Sequence, residues 1–300
     1  MKRKILALTI VLVIFMQVIS VAFARDNTEY YSEEITCIGE SSLSIIADSD
    51  VAEYFQSIQE DKGYDPVVAT KQSVYVVESF DKDGNIYGSR LMTDKEVTEY
   101  KKLLSNDPTK SNIWVGDDGE THQGNKLSIY LVVYKDTNRN YYAYGTADWA
   151  NGIYAGGVNG PSYGYDFISI TWGAGGELMN SSSSDRSISG RYQYDQGSIS
   201  FSRANSDTYR GYCWQFDEIK PVGLTNYFAD YIDSYVKLKK TSSTYFGKQT
   251  NIRMTYIHTY QSAVGSISFS GGSSGAAASV SLSSCDKQWQ IEIDVPGIYY

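Results

Sequence analysis

The chain is predicted to be mainly β, an antiparallel β-sandwich or barrel-like sheet preceded by a small α+β region. Three observations predict this. The 300 residues include 27 tyrosines and 26 glycines but only 5 prolines, and aromatic and β-branched residues suit pleated, half-buried strands. From Lys126 onward, short runs of apolar residues alternate with Ser, Thr and Gly and are separated by turn formers, the pattern of strands covered on one face. Between those runs no helical periodicity intervenes, which argues against parallel βαβ units.

Residues 1–24 have the layout of a secretory signal peptide. Lys2, Arg3 and Lys4 precede an apolar run from Ile5 to Val21, and Ala22-Phe23-Ala24 supplies a small-x-small cleavage pattern. Roughly 17 to 25 apolar residues can also span a bilayer, but the abrupt Ala-x-Ala ending favours cleavage. The expected product is therefore secreted and extracellular. No Cys follows the leader as a lipid acceptor, and no LPxTG sequence lies near the C-terminus.

Residues 25–125 read as the small α+β region. Val51 to Lys62 is amphipathic and stops at Gly63, where a left-handed helix end is tolerated. Ser73–Phe80 and Ile86–Leu91 alternate as strands around Asp81-Lys82-Asp83-Gly84-Asn85. Thr93-Asp94-Lys95-Glu96 is a capping box that opens a helix to about Leu104. A polar connector over 109–125 then marks the boundary with a β domain over 126–300.

In that domain Leu127–Lys135 and Tyr141–Trp149 flank the turn Asp136 to Asn140, and a glycine-rich loop, Asn151 to Gly164, precedes Asp166–Trp172. Further strands are expected near 190–194, 198–202, 209–216, 230–239, 251–260, 266–270, 279–283 and 289–295, with 226–236 also fitting helical spacing. Tyr256-Ile257-His258-Thr259-Tyr260, the Ser/Gly alternation after it and Lys287-Gln288-Trp289 resemble the C-terminal portion of uncharacterised β-rich proteins exported by Gram-positive bacteria. That resemblance implies bacterial export and a β fold, and brings no activity.

Without residues 1–24, which hold three basic and no acidic groups, 23 Lys+Arg face 35 Asp+Glu, a formal charge of −12. Such a surface repels phosphate backbones, so nucleic-acid partners are excluded. Of the three cysteines, Cys213 and Cys285 are the expected pair if a bridge forms; the alternative is three small buried hydrophobes.

Catalytic signatures are weak. Gly271-Gly272-Ser273-Ser274-Gly275 matches G-x-S-x-G, but no histidine follows it and the segment after it alternates as a strand. Asp117-Asp118-Gly119-Glu120-Thr121-His122 is the sole local acid–imidazole cluster, and a polar connector usually only stays hydrated. His258, between aromatics on a strand, reads as a hydrogen-bonded structural residue. The segments 81–85 and 136–140 lack the glycine and glutamate of a calcium loop and read as turns. No HExxH, CxxC or paired Cys/His spacing is present, so no metal or cofactor is expected.

The function expected is non-enzymatic binding or structural work at or outside the cell envelope, with a glycan or a cell-surface protein as partner. Trp149, Tyr154, Tyr163 and Trp172 flank the glycine-rich loop, where Gly156, Gly157 and Gly160 would let a ligand approach the backbone; the alternative places these rings in the core. Two other functions compete. A β-pore-forming, toxin-like protein would insert the uncharged hairpin 264–284 into a membrane, although its arms are shorter than the roughly nine to eleven residues a tilted strand needs. An extracellular glycan hydrolase would need two acids about 5 to 9.5 Å apart across a cleft.

Overall fold

A computed structural model describes residues 30–46, 49–80, 86–106, 113–115, 121–150, 165–173, 178–180, 182–223, 225–240, 249–260, 265–271, 277–283, 285 and 288–299. The leader, Asp117 to Glu120, Tyr154, Tyr163 and Gly272 to Gly275 lie outside these. The order begins β1 (Ser32–Ile38), a 3-10 turn (Glu40–Ile45), α1 (Ser49–Lys62), β2 (Asp65–Phe80), β3 (Ile86–Leu91), α2 (Asp94–Asn106), β4 (Ile113–Val115) and β5 (Thr121–Lys135). Then come β6 (Tyr141–Trp149), β7 (Tyr165–Trp172), β8 (Leu178–Met179), β9 (Arg186–Tyr192), β10 (Phe201–Asp207) and β11 (Gly211–Asp217). The chain ends with β12 (Ile219–Val222), β13 (Thr225–Lys240), β14 (Gln249–Thr259), β15 (Ile267–Gly271), β16 (Ala278–Leu282) and β17 (Gln288–Tyr299).

The strands form a sandwich with open edges, not a closed barrel. One sheet runs β1-β2-β5-β6-β13-β12, with β3 on β2, β4 on β5, and β8 and β9 on β13. The facing sheet runs β10-β11-β7-β14-β17. Their inner faces share one core: Leu127, Ile129 and Leu131 of β5 oppose a layer that includes Ile168, Ile170, Met254, Ile291 and Ile293. Gly145 of β6 is required there, because a Cβ would lie 2.9 Å from Met254 Sδ and from Ser234 Oγ.

Each outer face is covered by a different element. α1 buries Val51, Phe55 and Ile58 against Tyr130, Tyr134 and Tyr144, and Tyr134 donates its hydroxyl to the Phe55 carbonyl at 2.8 Å. α2 packs Val97 and Tyr100 on Tyr75 and Val77. Its capping box forms as expected: Thr93 N–H donates to Glu96 Oε2 at 2.9 Å, and Glu96 N–H reaches Thr93 Oγ1 at 3.5 Å. The hairpin β15–β16 covers the second sheet, burying Ile267, Val280 and Leu282 over Phe167, Cys213 and Ile257. Its serines face outward, with Ser268 and Ser281 hydroxyls 2.9 Å apart.

Several expectations are corrected. The ambiguous 226–236 segment is wholly strand, inside β13. Three strands reach 15 or 16 residues, because their polar interruptions find cross-strand partners: Ser73 meets Ser128 at 3.0 Å, and Gln72 donates to Ser32 at 2.6 Å. The boundary expected at 125/126 falls within β5, and the strands on both sides share one sheet. Trp149 and Trp172 are 3 % and 0 % exposed, so they belong to the core and not to a binding surface; both occupy inward positions of their strands. Cys213 and Cys285 share the apolar cluster under the hairpin as thiols, with no bridge between them. Burial alone pushes the Cys213 thiol well above its usual range, which makes it a small hydrophobe.

The turn at 136–140 is structural. Asp136 accepts from Asn140 N–H at 2.8 Å and from the Tyr142 hydroxyl at 2.6 Å, and Arg139 adopts φ 64°. Replacing Trp172 with Ala should cost about 3–5 kcal/mol, against about 1 kcal/mol for Thr93→Ala at the helix cap. Urea unfolding of the two variants checks the ranking.

Candidate functional site: a buried histidine–carboxylate cluster

Alternation along a strand sends every second side chain into the space between the sheets. Toward one end of the sandwich, four of these columns change from apolar to charged or ionisable residues. β2 contributes Val74, Val76 and then Glu78; β7, read backwards, contributes Trp172, Ile170, Ile168 and then Asp166. Tyr212, Trp214 and Phe216 of β11 lead to Glu218, and Ile252, Met254 and Tyr256 of β14 lead to His258. The four ends coincide. Glu78, Asp166, Glu218 and His258 meet at one end of the sandwich, all between 0 and 5 % exposed.

The geometry is tight. His258 Nδ1 lies 3.1 Å from Asp166 Oδ1 and 3.2 Å from Glu218 Oε2. On the opposite side of the ring, Nε2 faces Glu78 Oε1 at 3.6 Å and makes no hydrogen bond among the described residues. Asp166 is held by two further donors: the Tyr256 hydroxyl at 2.5 Å to Oδ2 and the Thr259 N–H at 3.0 Å to Oδ1. Trp289 packs its ring 5.0 Å from the imidazole and donates its indole N–H to Ser89 Oγ at 2.9 Å. Gln123, the cross-strand partner of Glu78, is also buried here.

Burial and mutual repulsion set the protonation states. Burial pushes Glu218 up to about 8, with Asp166 and Glu78 reinforcing the shift and His258 opposing it. For His258, burial resists the charged ring, but the carboxylates of Asp166 and Glu218 outweigh it and hold the imidazole well above its usual range. Burial, and the Asp166 carboxylate it donates to, raise Tyr256 as well. Without a bound cation, the arrangement keeps protons on His258 and Glu218 near neutral pH.

Asp166, Glu218 and His258 each offer one ligand atom, and these atoms lie within 4.8 Å of one another. The three come from β7, β14 and the residue after β11, far apart in the chain, so no spacing motif marks them. His258, read from sequence as a hydrogen-bonded structural residue, does lie against carboxylates. His122 is elsewhere: it is half-buried on β5, with Nδ1 3.0 Å from Ser79 Oγ. Signals for the cluster did exist, namely acids and an imidazole that adjoin runs of two or three apolar residues in the same alternation. No known protein family matches the chain, and no curated protein is similar to it.

In chelator-containing buffer, both raised groups bind protons more tightly folded than unfolded, so their contribution is full below the unfolded values and declines with rising pH. For Glu218 the loss begins near its ordinary 4.5 and runs through about 8; for His258 it begins near 6.5 and extends higher. Glu96 acts in the opposite sense: Arg90 and the Thr93 cap lower it to about 2, so its contribution is lost as pH falls from 4.5 toward that value. The urea midpoint should therefore drop between pH 5 and pH 9, and Glu218→Gln should flatten that drop. A midpoint that rises over this interval would contradict the assignment.

Proposed function

We propose that the chain is exported and acts without catalysis, as a binding or structural protein at or outside the cell envelope. The observation that carries a binding role is the turn between β9 and β10. Tyr194 is 79 % exposed there with φ 54°, and Asp195 repeats that left-handed φ. A bulky residue in this region stores about 1–3 kcal/mol of strain. The turn is held by its surroundings: Gln196 N–H donates to the Gln193 carbonyl at 3.2 Å, and Lys220 Nζ donates to the Gln196 carbonyl at 2.6 Å. A solvent-facing phenol ring on a turn held in this way suits stacking on a sugar face or on a partner protein. The basic–apolar–small pattern of residues 1–24 supports export.

The sealed position of the acid–imidazole cluster favours this reading over hydrolysis, since a substrate would have to enter the sandwich to reach it. A pore-forming role would need β15–β16 to leave the second sheet, and its paired arms are 5 residues each. Dye release from liposomes tests that role directly.

Expressed in a Gram-positive host, the chain should be recovered from the medium beginning at Arg25. It should sediment with insoluble cell-wall material, and Tyr194→Ala should weaken sedimentation about tenfold, a loss of about 1.4 kcal/mol, while leaving the melting temperature within about 2 °C. Retention inside the cell with the leader attached would remove the export claim. Equal sedimentation of the variant would remove the binding claim.

A further inference from the structure

We infer that Asp166, Glu218 and His258 form a three-ligand site for one divalent first-row transition metal ion, zinc in preference to manganese. The donor set is one imidazole nitrogen and two carboxylates, drawn from β7, β14 and the residue after β11. Around an ion bound tetrahedrally at about 2.0–2.2 Å, neighbouring ligand atoms stand about 3.3–3.6 Å apart. The contacts of Nδ1 with Asp166 and Glu218, at 3.1 and 3.2 Å, reach that separation with a small opening, and all three ligand atoms lie within 4.8 Å of one another.

Charge balance points the same way. Three carboxyl groups meet one imidazole at positions no more than 5 % exposed, and a dication there offsets their mutual repulsion. Asp166 is pre-oriented by Tyr256 and Thr259, which reduces the ordering needed on binding. The second nitrogen of His258 supplies an independent observation. Nε2 is fully buried, makes no hydrogen bond among the described residues and points at Glu78 Oε1 from 3.6 Å. With a metal on Nδ1, Nε2 carries the proton and donates to Glu78, the carboxylate–imidazole–metal relay that orients ligating histidines. Glu78 is thus a positioning residue on the opposite sheet, and the ion joins both layers through the ring. Mixed nitrogen and oxygen donors select against calcium and magnesium, which take oxygen ligands.

The test uses the full mature chain, unfolded in chelator and refolded with zinc, manganese or calcium. Elemental analysis after gel filtration should find one zinc per chain, and zinc should raise the melting temperature by several degrees, as expected when ligand exceeds its dissociation constant about 100-fold. Glu78→Gln should weaken zinc binding about 10–100-fold, and Asp166→Asn or His258→Gln should abolish it. Should those two variants fail to fold, cobalt-loaded wild type still decides: visible absorption of a low-symmetry site with nitrogen ligation supports the proposal. Wild type that refolds with no bound zinc overturns it, as does metal uptake undiminished in folded Asp166→Asn, or equal competition by calcium. None of these outcomes depends on Tyr194 or on binding to cell walls.

Discussion

The two-residue period of paired strands is the constraint on which the rest of this molecule depends. Once two sheets face each other, each strand must commit alternate residues to the space between them. The same rule that fills the middle with Ile, Val and Leu also delivers Glu78, Asp166, Glu218 and His258 to one end. Core and cluster are therefore one construction. Of the polar stretch that resembles a linker in the sequence, residues 121–125 belong to β5, where Gln123 and Asn125 line this polar end.

Burying those groups is costly. Replacing a buried ionic group with apolar residues of similar volume is often neutral or stabilising, whereas removing one partner is expensive. The cluster limits its cost through donors that belong to the backbone and to neighbouring rings: Thr259 N–H, the Tyr256 hydroxyl and the imidazole itself all converge on Asp166. Trp289 stiffens the site from β17 and ties that strand to Ser89 on the other sheet. The polar end thereby becomes a place where the two layers are joined by directional contacts as well as by packing, as they also are where the Thr70 hydroxyl donates to the Asp294 carbonyl at 3.1 Å.

Tyrosine abundance has a separate explanation. The outer face of the larger sheet is a field of phenol rings, with Tyr64 and Tyr142 stacked at 4.0 Å and Tyr144 tilted against Tyr235 at 4.9 Å. A ring of this kind buries apolar area under α1 while its hydroxyl reaches a partner, as Tyr134 does with Phe55 and Tyr142 with Asp136. Tyr194 departs from the pattern, since its turn holds the ring out in solvent. Among the described residues no helix is long and apolar enough to cross a membrane.

Local signals in the chain were sufficient for the strand-rich class, the capping box at Thr93–Glu96, the turn at Asp136 to Asn140 and the helix ending before Gly63, because each depends on neighbours within a few residues. They were insufficient for strand length, for the shared sheet that crosses residue 125, and for the role of Trp149 and Trp172, since cross-strand hydrogen bonds and burial come from partners distant in sequence. The cluster shows the division most clearly. Alternation alone assigns Asp166 and His258 to the same faces as their apolar neighbours, but whether those faces look inward, and whether four strand ends meet, is set by sheet pairing. Periodicity encodes which side a residue takes; only the packing of one sheet on the other says what waits there.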